Sequence, residues 1–386
     1  MKKSLIAFAA LSAIAGMAQA QSTVTLYGLL DGNFGSFKSN VLVGTTIQNL
    51  KQTKIDAAGL NGSRWGMRVR EDLGNGLAVI GNLESGVNLD TGSSAQGGLL
   101  FGRRANAGLT GGFGTVTIGR NSSSYDDVSA DHAMMGQSIF DPSNTNNGPS
   151  VASASALGAA FLAPVPTTTA AAVSATGLLN RTTTWVGFST RFNNSVKYIS
   201  PNFGGFSGSA MYALGEDKTQ TVGASKTVSA NLKYANGPLL VSGGYQSEGG
   251  TRTATGGKPA LENTLLNVAF DLGVAKLGAG FNRAKFKDIL PGRSLAAQKE
   301  YSLSVAVPLG ATTLSAGVAR SKGDDLGKST GYGVQALYAL SKRTTLYAGA
   351  GSVKTFDQLG SAVRLLSPTS NIGRVTTYAA GLRHTF

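Results

Sequence analysis

Alternation is the most regular feature of this chain. From Thr23, in TVTLYGLLDGNF, Val24, Leu26, Leu30 and Phe34 fall on one side of an extended backbone, and Thr25, Asp31 and Asn33 fall on the other, blurred only by Tyr27 and Leu29. A period of two describes a strand with one apolar and one wet face. SRWGMRVRED is sharper: Arg64, Arg68 and Arg70 share a face, and Trp65, Met67 and Val69 share the opposite one. An arginine at the lipid midplane of a barrel costs about 2–4 kcal/mol, so in a membrane the register that turns the arginines inward is the one that survives.

Such segments recur to the end of the chain. Sixteen are read, beginning near Thr23, Leu60, Leu77, Leu100, Gly114, Arg191, Phe206, Ser225, Leu239, Thr264, Lys276, Glu300, Thr312, Gly331, Thr344 and Thr376. Tight turns, such as Leu73-Gly74-Asn75-Gly76, Asn236-Gly237-Pro238 and Leu309-Gly310, separate them in alternation with longer polar stretches. Short turns on one end and long loops on the other predict an all-β fold, a transmembrane antiparallel β-barrel of about 16 strands. One connection, 121–190, is far longer than the rest. Its first half, NSSSYDDVSADHAMM, is acidic and aromatic and is read as ordered inside the barrel. Its second half is an Ala/Ser/Thr/Pro-rich insert at about 148–180, and RTTTWVGFST suggests a short strand of its own.

Residues 1–20 place Lys2 and Lys3 ahead of an apolar stretch ending in Ala18-Gln19-Ala20, the pattern of a cleaved signal peptide. Export and a single domain over 21–386 are expected. No later apolar run is long enough for a membrane helix. Only 14% of residues are charged, against about 25% in soluble domains, and 53 are glycine. Strands that meet lipid on one face and turns that recruit glycine account for both.

The net charge of +14 narrows the function. Its basic residues are spread along alternating strands, not gathered on a soluble patch, which argues against nucleic-acid binding. Cysteine is absent and there are two histidines, His132 and His384, so thiol chemistry is excluded and neither a metal site nor a cofactor is expected. His132 beside Ser129 or Ser138 is the nearest approach to a hydrolytic constellation, and a lone loop histidine is far more often a solvated polar residue, so no catalytic residue is assigned. An adhesin would require a passenger domain, and an energy-coupled transporter a plug before the first strand. Arginines facing water in a low-dielectric wall concentrate anions.

Six strings carry a family resemblance over most of the mature chain: STVTLYGLLD, SRWGMRVREDLGNGL, FGRRANAGLTGGFGTVTIGR, RFNNSVKYISPNFGGFSGSAMYALGE, GYGVQALYALSKRTTLYA and the ending GLRHTF. Together the strings resemble the general porins of β-proteobacteria, sixteen-stranded trimers related more distantly to the enteric general porins. That resemblance implies an outer-membrane diffusion channel for ions and small hydrophilic solutes, with anion preference, and a third loop folded into the lumen. Matched motif by motif, the basic wall of the constriction would be Arg64, Arg103 and Arg191, with Arg68, Arg70 and Lys197 as further pore-lining cations. The facing loop acids would be Asp126, Asp127 and Asp131.

Arg103 and Arg104 are adjacent and point opposite ways, a choice that periodicity leaves open; the family motif picks Arg103. Arg104 and Arg120 would then face outward, against a neighbouring subunit. Tyr378, Leu382 and Phe386 share one face of the last strand and resemble the signal read by the barrel-insertion machinery. The implied partners are two further copies of the chain, outer-membrane lipid, lipopolysaccharide, that machinery, and small anions and hydrophilic solutes. The loop departs from the family pattern: it is longer, and the acidic PEFG-like segment of the enteric relatives is not evident.

Overall fold

The computed structural model describes residues 22–43, 46–144, 184–220, 223–250, 258–288, 292, 294–354, 356 and 370–386. The leader at 1–20 and the insert at 148–180 lie outside the described residues. Seventeen strands form one sheet. They are β1 (Thr23–Val43), β2 (Thr46–Ala57), β3 (Arg64–Gly74), β4 (Leu77–Gly86), β5 (Arg104–Gly111), β6 (Gly114–Ser122), β7 (Arg191–Ile199), β8 (Phe206–Leu214) and β9 (Lys226–Asn236). The sheet continues through β10 (Leu239–Gly249), β11 (Ala260–Asp271), β12 (Lys276–Lys287), β13 (Gln298–Leu309), β14 (Thr312–Gly323), β15 (Gly327–Ala339), β16 (Thr344–Lys354) and β17 (Ser370–Thr385).

Each strand pairs antiparallel with the next from β3 to β17, and β17 closes onto β1 from Leu29↔Thr385 to Leu42↔Ser370. The last residue completes the seam: Gly28 N donates to Phe386 O at 3.0 Å, and Phe386 N to Gly28 O at 3.1 Å. The extra strand is β2. It pairs with the second half of β1 while β3 pairs with the first half, so β2 and β3 lie end to end on one edge of β1 and the ring has sixteen staves. The sequence reading began this stave near Leu60 and missed β2, because residues 58–63 leave the sheet between the two strands. Of the strand suggested by RTTTWVGFST, the described residues 184–190 carry none.

The tight turns are built as their residues require. Gly74, Asn75 and Gly76 have φ of 86°, 52° and 76°, the left-handed region that glycine and asparagine enter most easily. Outside the barrel, the alternating apolar residues are open: Leu26 is 62% and Leu303 63% exposed, a surface suited to hydrocarbon.

Inside, the described part of the long connection crosses the lumen and lies against the wall. A chain segment without secondary structure must find hydrogen-bond partners when buried, and wall side chains supply them. Ser229 Oγ accepts from Tyr125 N at 2.7 Å, Asn267 Nδ2 donates to Val128 O at 2.7 Å, Ser304 Oγ accepts from Met134 N at 3.0 Å, and Gln335 Nε2 donates to Met135 O at 3.2 Å. The returning arm hangs on two buried wall carboxylates: Glu300 accepts from Val186 N, and Glu248 from Ser189 N at 2.8 Å. Trp185, Tyr125, Val128, Phe188 and Leu265 pack together there, as do Phe140, Met135, Leu60 and Tyr347, so the apolar core sits within the lumen. The wall is glycine where the loop presses closest: a Cβ on Gly333 would run into the Phe140 carbonyl, and one on Gly278 into that of His132.

Gly333→Val is expected to lower stability by about 1–3 kcal/mol through overpacking and to raise single-channel conductance by displacing the loop. Thermal unfolding in detergent and bilayer recording measure the two, and no change in either would show that the loop does not depend on this seat.

Candidate functional site: an arginine-lined throat

On the side the loop leaves uncovered, alternation aims β3, β4 and β5 at the passage. Arg64↔Gly86, Gly66↔Glu84 and Glu84↔Arg104 are cross-strand pairs, and paired residues share a face. A cavity of about 710 Å³ lies here, lined by Arg64, Arg103 and Arg191 from the wall, by Leu60, Asn61 and Gly62 from the 58–63 excursion, and by Gln137 and Ile139 from the loop. The structure therefore brings the three arginines of the sequence reading together.

Asp31 sets the position of the excursion. Its fully buried carboxylate accepts from the backbone N of Gly59 at 3.0 Å, Leu60 at 2.9 Å and Asn61 at 2.8 Å, and from the Tyr347 hydroxyl at 2.5 Å. Gly59 O in turn accepts from Ile139 N at 2.9 Å, so the wall, excursion and loop form one connected rim.

The counter-charge to the arginines was missed from the sequence, because it stands on the wall. Arg103 Nε donates to Glu84 Oε1 at 2.7 Å, and the Tyr27 hydroxyl donates to Oε2 at 2.8 Å. Tyr27 also carries the Arg68 guanidinium 4.1 Å above its ring. The pairing Gly66↔Glu84 put Glu84 on the Arg64 face, a signal present in the alternation of LAVIGNLESG.

Two placements differ from the sequence reading. Arg104 points into the lumen, opposite Glu84, and lines a second space with Arg68, Arg70 and Lys197; Arg103 precedes the strand, so the two adjacent arginines escape strict alternation. Arg120 is outside as expected: it pairs with Ala105, next to lipid-facing Ile118, and its guanidinium donates to Gly102 O and Asn193 Oδ1. The three loop acids are also split. Asp126 alone lies among the arginines. Asp127 forms an ion pair with Lys197 at 2.7 Å and Asp131 one with Lys233 at 3.0 Å, which pins the loop to β7 and β9. Lys197 is thereby buried and neutralised, not presented to the passage. Arg383, unassigned before, donates to Asn61 Oδ1 at 2.9 Å beside the throat.

His132 is buried and stacked on Trp185, with centroids 4.9 Å apart. Burial holds its pKa below the ordinary value, with Asp141 opposing. Its Nε2 lies 3.2 Å from Ser143 Oγ, whose proton goes to Asp141 Oδ1 at 2.7 Å. The ring nitrogen is therefore the donor, which is the reverse of a general base. Ser129 donates to Asp126 O and Ser138 to Gln335, so neither serves His132.

A family model described as Gram-negative porin matches residues 7–358. The chain belongs to this porin family. It is 32% identical over 297 residues to outer membrane porin protein 32 of Delftia acidovorans, covering 76% of this chain and 72% of that protein. With an outer membrane porin protein of Bordetella pertussis it shares 30% identity over 303 residues, covering 73% and 69%. Among solved structures, the anion-selective porin from Comamonas acidovorans superposes with a TM-score of 0.71 at 25% identity, over 95% of this chain and 100% of that one. A trimer form of an outer membrane protein of Vibrio cholerae superposes at 0.59 and 17% identity, covering 95% and 99%, which speaks to the fold alone. The porin is thus a passive outer-membrane channel and not an enzyme.

Asp126 is expected to make its throat sensitive to pH. Burial raises this carboxyl from the ordinary 3.8 to about 6, with Asp127 adding to the rise and Arg191, Lys197 and Arg103 opposing it. The folded chain holds this proton more tightly than the unfolded chain, so the group favours folding below about pH 4 and loses that contribution as the pH rises through about 6. Acidification from pH 8 to pH 5 removes one negative charge beside Arg191 and should increase anion preference. Reversal potentials measured across this range should show a step near pH 6 that Asp126→Asn abolishes; an identical step in that variant would assign the titration elsewhere.

Proposed function

We propose that this porin is a general diffusion channel with a preference for small hydrophilic anions, set by Arg64, Arg103 and Arg191 acting against the wall carboxylate Glu84 beside them. The observation that carries the proposal is the shared cavity of about 710 Å³, in which three guanidinium groups meet. Cations in a narrow passage through low-dielectric wall raise the local concentration of anions. Opposed Asp126 and Arg191 add a transverse field, in which polar solutes reorient and apolar ones must displace ordered water. The superposable Comamonas porin is described as anion-selective, which supports the same reading.

The mature form would lack residues 1–20 and assemble as a homotrimer. Loop 87–103 exposes Leu99 and Leu100 above the membrane band, apolar surface that a neighbouring copy would cover. Tyr378, Leu382 and Phe386 stand on the outer face of β17, each between 43% and 49% exposed, where the barrel-insertion machinery would read them and membrane lipid would later meet them.

Replacement of Arg64, Arg103 and Arg191 together by Ala is expected to reduce the anion-to-cation permeability ratio by about tenfold at low salt, with little loss of barrel stability. The difference should shrink above ~0.1 M salt, where charges more than about 10 Å apart are screened. Planar-bilayer reversal potentials under a salt gradient provide the measurement. An unshifted potential would remove these arginines from the selectivity mechanism, and the absence of stable open channels in the wild type would remove the transport reading itself.

A further inference from the structure

No carboxylate is among the described residues that line the cavity of about 710 Å³ in the throat. Asp127 and Asp131 are drawn away to Lys197 and Lys233. Glu84 is held by Arg103 and the Tyr27 hydroxyl, and Asp126 acts on Arg191 through its charge without being part of the lining. What the loop and the 58–63 excursion present to the passage is apolar: Ile139, Ala130, Leu60 and Phe188 line the same cavity as the three guanidinium groups. Ala130 is exposed and Ile139 is half-buried, and Ile139 packs against the buried cluster that contains Leu60.

The backbone of this stretch adds to its apolar character, because its donors are already engaged. Gly136 N donates to Ala133 O at 2.9 Å, Gln137 N to Asp141 Oδ2 at 3.2 Å, Ser138 N to Met135 O at 3.3 Å and Ile139 N to Gly59 O at 2.9 Å. The nearby side-chain amides are turned into the loop as well: Gln137 Nε2 donates to Ser129 Oγ at 3.2 Å, and Asn144 Nδ2 to Gln137 O at 2.6 Å. A hydroxyl carried past residues 136–139 gives up water against a surface whose N–H groups are committed, which is costly. A methyl group in the same place leaves water for Ile139 and gains by it. The throat therefore has two chemical sides, charge from the wall and hydrocarbon from the loop.

We infer that, among the anions it admits, the throat favours monocarboxylates with a short apolar body, branched or aromatic, over hydroxy acids of the same size. The carboxylate meets the arginines, whose planar guanidinium groups match it in a paired, charge-assisted geometry, while the body passes against Ile139 and Ala130. An uncharged apolar solute has no hold on the arginines and still has ordered water to displace. The carboxylate thus admits the solute, and the body sets its rank. In an enclosed pocket one methyl group is worth about tenfold or more, and a passage that stays wet keeps only part of this, about threefold. The inference rests on the anion-channel reading proposed above and adds to it the class of solute.

The test records reversal potentials of the porin in planar bilayers with sodium lactate on one side and sodium isobutyrate on the other. These anions differ by the exchange of one hydroxyl for one methyl, so charge and size are matched. The wild type is expected to pass isobutyrate about threefold more readily than lactate. Ile139→Val keeps an apolar surface and should preserve the preference, whereas Ile139→Thr, which has the shape of that variant with a hydroxyl in place of a methyl, should abolish it. A wild type that passes the two acids equally, or lactate better, overturns the inference without relying on any variant. Valine and threonine variants with the same preference overturn the choice of Ile139. Potassium chloride gradients across the same channels separate this claim from the one beneath it: anion preference without isobutyrate preference sinks the solute class alone, and no anion preference sinks both.

Discussion

Everything in this molecule depends on a hydrogen-bonded ring with no free edge. Hydrocarbon offers a strand edge no partner, so a membrane sheet must close on itself. Here the closure joins the first strand to the last through an unbroken run from Leu29↔Thr385 to Ser39↔Val375, ending in the reciprocal bonds of Gly28 and Phe386. The terminal ring lies where a Cβ on Gly28 would stand, so the seam is locked at the chain's last residue. Once the ring is closed its register is fixed, and with it the side of the wall to which every residue points. A one-residue slip would exchange Arg64 with Trp65 and Arg68 with Met67, which is why the arginines can be held at the passage without any local device.

The ring explains inside and outside, but not why one part of the lumen is charged and open. That follows from the long connection. Its backbone is irregular and buried, so it must lie where the wall can satisfy it. The wall from β8 to β15 offers Ser229, Asn267, Ser304 and Gln335 at bonding distance, and glycines where contact is closest. The wall from β3 to β5 offers arginines instead. Covering the first region leaves the second exposed, and the passage is the space between them. Asp31 completes the division by drawing residues 58–63 inward to meet the loop at Ile139. Asp127 and Asp131 belong to the same work of attachment, which is why they reach Lys197 and Lys233 and not the arginines.

How much of this was legible in the sequence depends on the range of the interaction concerned. The staves were legible because period-two patterning is local and is reinforced by turn residues such as Gly74-Asn75-Gly76. Arg64 was legible because its neighbours Trp65, Met67, Arg68 and Arg70 leave one tolerable register. β2 was not, since only its pairing with the second half of β1 and the interruption at 58–63 define it. Arg104 was misplaced because alternation was applied across Arg103, which lies just before the strand begins. The pairing of Arg103 with Glu84 and the seating of the loop on Gly333 are contacts between distant segments, and they emerge only once the register is known. The three arginines that the family motifs named line one cavity in the structure, and no pattern within a single strand could bring Arg191 beside Arg64.

Three populations can be told apart within the charge that composition merges into one number. Arg64, Arg103 and Arg191 are tempered by Glu84 and Asp126 and still leave the throat positive. Lys197 and Lys233 are consumed by loop carboxylates and contribute attachment instead of field. Arg283, Lys299, Arg320 and Lys322 stand outside, separated from the passage by the wall and from one another by little more than a strand spacing. Because a barrel wall is one residue thick, adjacent residues of a strand such as Arg283 and Asn282 serve different solvents, and a net charge predicts selectivity only after each cation has been assigned to its side. For this porin the ion pairs of Lys197 and Lys233 take two inward cations out of that count.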